Sequence, residues 1–187
     1  MMKYHYIFGP VPSRRLGRSL GVDLVPPKTC SYDCIFCQLG RTTNKTAELA
    51  AYAPAQEILE ELKSKLSEIP APDYITLSGS GEPTLHSQMG DIIRGIRQIT
   101  AIPIAVITNG SLLWMPEVRR ALADADVVLP SLHAGESALF QRINRCAPDI
   151  SFEAMADGLI QFREEFKGQI WLEVFIMAGI NDGDEDI

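Results

Sequence analysis

Residues 74–108 read YITLSGSGEPTLHSQMGDIIRGIRQITAIPIAVIT. The stretch opens on a β-branched run, Tyr74–Ser78, and breaks at glycines and a proline. It then sets Met89, Ile92, Ile93, Ile96 and Ile99 at helical spacing and closes on a second run, Ile104–Thr108. Strand, helix and strand in so short a span make a βαβ unit. On either side the same alternation continues, with strand signals at Leu20–Val25, Val127–Leu132 and Ile170–Met177. Helical spacing after Pro54 joins Ile58, Leu59, Leu62, Leu66 and Ile69. A short helix with Pro116 in its first turn carries Val118 and Leu122, and another is expected at Glu136–Ile143. Ser151 is the N-cap expected for a helix with Phe152, Met155, Leu159, Phe162 and Phe166 on one face. Five strands alternating with helices predict an α/β fold with a parallel sheet, and neither an internal repeat nor a linker divides the chain.

A chain of 187 residues supports one domain, burying roughly 70% of its unfolded surface. Its composition excludes collagen-like, low-complexity and disordered classes. No apolar run is long enough to span a membrane. The opening MMKYHYIFGPVPSRR lacks the apolar core of a secretory signal, so the chain reads as cytoplasmic. Charge is uneven. Lys3, Arg14, Arg15, Arg18, Lys28, Arg41 and Lys45 face only Asp23 and Asp33 within residues 1–45, a balance of +5, so the remainder carries −12. Nucleic acid is not favoured as a partner of so acidic a body. Arg14, Arg15 and Arg18 suit an anionic group on a substrate, or else pin the N-terminal segment to acidic neighbours.

Parity along the strands adds a cavity to this picture. A parallel sheet covered on both faces reads as continuous apolar runs. Here Ile75 and Leu77 alternate with Thr76 and Ser78, and Leu172, Val174 and Ile176 alternate with Glu173. If helices cover one face, the other collects Asp23, Thr76, Ser78, Ser131, His133 and Glu173. The sheet is therefore expected to curve around a polar, ligand-sized cavity; the alternative puts Glu173 on an exposed edge.

Cys30, Cys34 and Cys37 follow the first strand in C-x3-C-x2-C spacing. Three thiolates this close can converge on one soft metal centre. A structural zinc site needs a fourth ligand, and His5 and Cys146 are distant in sequence. Iron–sulfur ligation normally uses four cysteines, so three would leave one iron of a [4Fe–4S] cluster open. Spacing alone leaves a cluster, a zinc ion with a distant fourth ligand, and free thiols as readings. Cys146 reads as a free structural thiol.

Cys30-x3-Cys34-x2-Cys37, with Phe36 before the last cysteine, resembles the signature of the radical S-adenosylmethionine (SAM) enzymes. Gly79-Ser-Gly-Glu-Pro83 resembles that family's Gly-Gly-Glu-Pro motif, and Thr108-Asn-Gly110, Ser131-Leu-His133 and Glu173–Ile180 follow in order. The opening Phe8-Gly-Pro-Val-Pro-Ser-Arg-Arg-Leu-Gly resembles an iron–sulfur oxidoreductase subgroup loosely related to the wyosine-base synthases that modify tRNA. The resemblance implies a (β/α) barrel in which Cys30, Cys34 and Cys37 hold a [4Fe–4S] cluster whose open iron chelates SAM. It implies SAM contacts from Phe36, Gly79, Gly81, Glu82, Pro83, Asn109, Ser131, His133 and Glu173, with the Glu82 carboxylate near the SAM ammonium. A carboxylate is expected at His133 in the family pattern. Reductive cleavage of SAM, fed by a reductant such as flavodoxin or ferredoxin, would yield a 5′-deoxyadenosyl radical that abstracts hydrogen from a substrate the residues do not name. Wyosine synthesis further implies upstream cysteines and a pyruvate-capturing lysine; no cysteine precedes Cys30, and Lys28 lies beside it. A glycyl-radical activase is another version of the enzyme. The alternative outside the enzyme class is a binding module in which zinc or an iron–sulfur site merely holds the loop.

The family core implied by the resemblance has six strand–helix units. Five strands are visible before the acidic end Asn181-Asp-Gly-Asp-Glu-Asp-Ile187. Residues 1–187 are therefore expected to form a partial barrel, a core domain lacking its sixth strand at the C-terminal end.

Overall fold

The computed structural model describes residues 4–183. In chain order the elements are β1 (Ile7–Ser13), β2 (Gly17–Val22), β3 (Thr29–Cys30), β4 (Asn44–Lys45), α1 (Ala55–Glu68), β5 (Tyr74–Leu77), α2 (Met89–Ile99), β6 (Ile104–Thr108), α3 (Pro116–Leu122), β7 (Val127–Pro130), α4 (Ser137–Asn144), α5 (Phe152–Glu165) and β8 (Gln169–Ile170), with a 3-10 turn at Pro83–Leu85. The main sheet has six strands in the order β1-β2-β5-β6-β7-β8. Its five neighbouring pairs are parallel except β1–β2, which is antiparallel.

The main sheet has one strand more than expected because β1 was not read as a strand, and the short pair β3–β4 was not expected either. Gly9, Pro10 and Pro12 interrupt its sequence, and proline is tolerated only where no ladder hydrogen bond is needed, as on this edge. The expected strand at Ile170–Met177 is shorter: regular pairing covers Gln169 and Ile170, followed by one bridge from Glu173 to Ser131. The acidic tail's residues 184–187 lie outside the described residues.

The helices form where their apolar stripes require. Ile58 and Leu62 of α1, and Met89, Ile92, Ile93 and Ile96 of α2, are buried. Ser151 caps α5 by accepting from the Ala154 N–H, and Pro116 opens α3. The buried side chains of α1 and α2 share one core with Leu20, Val22, Ile75, Leu77, Ile104, Val106 and Val128 from the sheet. The opposite parity forms a separate small cluster, in which Leu16, Ala105, Val127 and Leu129 meet Tyr74, Ile107 and Trp171 without any helix residue. The sheet is thus a partial barrel, helices outside and a largely uncovered concave face inside. Apolar residues fill the strands' N-terminal end of that face. Ser19 and Thr76 bond to each other at mid-height (2.6 Å), and Asp23 and Ser78 line a cavity of about 610 Å³ beyond them. Among the described residues no helix is long and apolar enough to cross a membrane.

Candidate functional site

The cysteines lie at the C-terminal end of the parallel strands, in a loop closed at its base by β3 and β4. These pair in parallel, Thr29 with Asn44 and Cys30 with Lys45. Asp33, buried inside the loop, tightens it by accepting from the Thr42 backbone N–H and from Arg41 Nε, both at 2.8 Å. The Thr42 N–H, then Arg41, hold its carboxyl below the ordinary value. From the far side, α4 offers its C-terminal carbonyls: Asp33 N–H donates to Asn144 O and Ile35 N–H to Ile143 O, each at 2.9 Å.

A second loop, Gly79–Pro83, is bonded to the first along its backbone. Lys28 N–H donates to Ser80 O at 2.8 Å, and Glu82 N–H to Thr29 O at 3.1 Å. Two glycines permit this approach. A Cβ on Gly81 would collide with the Thr29 carbonyl; one on Gly79, at φ +151°, would collide with the Asp23 carboxylate. That carboxylate accepts from the Ser80 N–H and hydroxyl (3.0 and 2.5 Å), so the end of β2 anchors the loop.

Cys30, Cys34 and Cys37 line one cavity of about 390 Å³ together with Lys28, Tyr32, Phe36, Gly79, Ser80, Gly81, Glu173 and Phe175. Each thiol has a polar neighbour. Lys28, held at φ +61°, brings Nζ to 3.3 Å from Cys37 Sγ. The Asn109 side-chain amide donates to Cys30 Sγ at 3.6 Å and to Ser31 Oγ at 2.8 Å. Cys34 Sγ lies 3.6 Å from Asn144 Oδ1. Burial, then the charge of Glu82, pushes the Cys30 thiol up to about 11; burial and the neighbouring cysteines push Cys34 up further. Three adjacent thiolates in such a place repel one another and need a cationic centre to hold them. No three His, Cys, Asp or Glu among the described residues are placed to hold a single metal ion. Single-ion zinc would need sulfurs about 2.3 Å from one centre, whereas a cluster gives each thiolate its own iron. The donor set fits the larger group.

The remaining expected site residues divide. Phe36 stacks on Phe175 (centroids 4.9 Å apart) and meets His133 edge-on, also at 4.9 Å. His133 is buried and accepts from the Phe175 N–H through Nδ1 at 3.0 Å, so Nε2 carries the proton; burial lowers its pKa, against the opposing charge of Glu173. Ser131 and Glu173 pair across β7 and the last strand. Glu173 is half-exposed at the cavity rim and forms an ion pair with Arg15 at 3.2 Å. Pro83 is buried.

Glu82 does not present its carboxylate to the cavity. It is 2% exposed and accepts from Thr84 N–H, Thr84 Oγ1, Thr108 Oγ1 and the Asn109 N–H at 2.6–3.0 Å. These four donors are the reason a buried acid is tolerated, and Glu82 ties the glycine loop to the end of β6. Arg14, Arg15 and Arg18 do not converge on an anion either. Arg15 is held by Glu173, whereas Arg18, near the start of β2, has its backbone N–H on Asp73 (2.7 Å). Sequence reading missed Tyr32 and Asn144. The tyrosine between two cysteines was a visible signal; nothing around Asn144 marked it.

The family model described as the Radical SAM superfamily matches residues 24–187. A protein of Brachyspira hyodysenteriae named GTPase Obg is 50% identical over 186 residues, covering all of this chain and 27% of that protein. A UPF0026 protein of Methanocaldococcus jannaschii is 37% identical over 182 residues, covering 96% of this chain and 56% of that one. The chain therefore spans between about a quarter and three fifths of the length of these two relatives. Among solved structures, archaeal TYW1 superposes with a TM-score of 0.62 at 16% identity, over 90% of this chain and 59% of that one. A radical SAM methyltransferase from Sphaerobacter thermophilus gives a TM-score of 0.61 at 19% identity, over 90% and 50%. At such identities the likeness is one of fold.

Proposed function

This chain belongs to the radical SAM superfamily, and from that premise we propose that it is the cluster-bearing core of a SAM-cleaving enzyme. The observation that carries the reading is the pairing of two loops over one cavity: three thiols on one, and a glycine backbone edge on the other. Cys30, Cys34 and Cys37 would hold a [4Fe–4S] cluster, and Gly79 and Gly81 would offer side-chain-free backbone to the amino-acid end of SAM. When bound, cluster and SAM together supply one-electron cleavage to methionine and a 5′-deoxyadenosyl radical that abstracts hydrogen from the substrate.

The chain's own residues position and enclose. Lys28 offsets negative charge at Cys37, and Asn109 orients Cys30 rather than reaching outward. The stack of Phe36, Phe175 and His133 walls the cavity against water. Glu173, at the rim and bridged to Ser131, would meet SAM or substrate. Glu82 and Pro83 act on the cofactor only through the loop they hold. A reductant such as flavodoxin or ferredoxin supplies the electron. The cavity beside Asp23 and Ser78 is where the substrate would lie, and the present chain would be the core domain of a longer protein, as its coverage of the two relatives suggests.

Anaerobic reconstitution tests this reading. The chain should turn brown, bind about four iron and four sulfide, and release 5′-deoxyadenosine from SAM with a low-potential reductant. Cys34→Ala should abolish that release, since it removes a ligand itself where loss of an outer-shell partner alone costs roughly 10–100-fold. A colourless, zinc-binding chain, or a fully loaded one that releases no 5′-deoxyadenosine, overturns it.

A further inference from the structure

Among the described residues, the Tyr32 hydroxyl is the one buried side-chain nitrogen or oxygen without a hydrogen-bond partner. The residue is 3% exposed. A hydroxyl buried without a partner is unfavourable, and such an atom in a native fold calls for a reason. Packing does not supply one. The ring meets Phe140 edge-on, with centroids 5.7 Å apart, a contact phenylalanine would make equally well.

The cavity that Tyr32 lines is also lined by sulfur. Tyr32 sits between Cys30 and Cys34 in the chain and lines the same cavity as all three loop cysteines. Cys146, Cys34, Glu82 and Cys30 are the ionisable groups in its electrostatic reach. Glu82 already has four donors on its carboxylate. Cys37 and Cys30 already have donors, in Lys28 Nζ and the Asn109 side-chain amide, whereas the Cys34 thiol itself donates to Asn144 Oδ1, and Cys146 lies outside the cavity's lining. The tyrosine is therefore a donor without a protein acceptor, on the wall of the cavity that the three loop cysteines line. Thiolates and sulfides are acceptors only, and a phenol carries its proton at neutral pH.

We propose that Tyr32 donates a hydrogen bond to a sulfur of the [4Fe–4S] cluster held by Cys30, Cys34 and Cys37, and so acts as a positioning residue that raises the cluster's reduction potential. The proposal rests on the cluster reading above. A hydrogen bond to sulfur stabilises the more negative, reduced cluster, so removing it makes reduction harder.

The test is Tyr32→Phe, reconstituted anaerobically alongside the parent chain and titrated by potential, with the reduced cluster followed by electron paramagnetic resonance. The midpoint should move to a more negative potential at equal iron and sulfide content. The metal-free variant should unfold at the same urea concentration as the parent or a higher one. Tyr32→Leu should shift the midpoint in the same direction, and serves if Tyr32→Phe does not fold. Phe140→Leu, which loosens the ring's packing and keeps the hydroxyl, should leave the midpoint in place. Equal midpoints in the parent and a loaded Tyr32 variant overturn the proposal and leave the cluster standing. Failure of the parent itself to take up iron and sulfide overturns both.

Discussion

At His133, a buried imidazole replaces the carboxylate expected there. Its Nδ1 accepts from the Phe175 N–H and its ring abuts Phe36, so it is built in as the neutral form. Burial lowers its pKa from 6.5 and Glu173 only partly opposes this. A group whose folded pKa lies below its unfolded value is protonated first in the unfolded chain. Its contribution to stability is full above pH 6.5 and is lost as pH falls through that value toward the folded pKa. Urea midpoints of the parent should therefore fall between pH 7.5 and 5.5 by more than those of His133→Asn, in which this proton is absent. Equal losses in both would show that His133 takes no part. The parity argument put His133 and Glu173 on the concave face, which is where they lie, because alternation is a local property of a strand. The four donors around Glu82 were not legible for the opposite reason. Its orientation depends on Thr84, Thr108 and the Asn109 N–H gathering around it, and that convergence of two loops has no local signature.

At the level of elements, helices and parallel strands were legible because each carries its own periodicity. The edge strand β1 and the frayed end of β8 were not. The first hides behind Gly9, Pro10 and Pro12, and the second is long in sequence but pairs regularly over only Gln169 and Ile170. The contact that builds the site joins two loops, neither of them regular: Lys28 N–H to Ser80 O and Glu82 N–H to Thr29 O. Gly81 is where this contact is most exposed to substitution, since the obstacle to a Cβ is the Thr29 backbone, which cannot rotate away. Gly81→Ala should cost about 1–3 kcal/mol, as overpacking does, measured as a lowered urea midpoint at unchanged m-value. Iron retained after anaerobic reconstitution should fall with it, because the displaced carbonyl belongs to the residue before Cys30. Full iron retention in a destabilised Gly81→Ala chain would mean that the glycine loop supports the fold and not the cysteine loop.

For the whole molecule, the partial barrel has a physical consequence at its open side. The segment after β8 follows Trp171 with Leu172, Val174, Phe175 and Ile176, all of the latter about half exposed. Inward it is held by the Trp171 N–H on Val128 O, the Glu173 bridge to Ser131, the ion pair with Arg15, the Phe175 N–H on His133 and ring on Phe36, and Asn181, whose side-chain amide donates to His133 O and Phe175 O. Beyond β8 no further strand pairs with the sheet among the described residues, so a row of backbone groups lies beside a row of apolar side chains. Unpaired edges of this kind template association, and natural proteins usually cover them or charge them. The chain's net charge of −7 opposes association weakly, because screening over about 10 Å at 0.1 M salt leaves contact-range attraction intact. The 187-residue chain should therefore self-associate as its concentration rises, with sedimentation velocity showing a dimer or larger species. Val174→Lys with Ile176→Lys, which puts two charges on that edge, should return it to a monomer while leaving α-helical circular dichroism unchanged. A parent chain that stays monomeric across the same range would mean that the edge is already blunted by its own twist and by the Arg15–Glu173 pair.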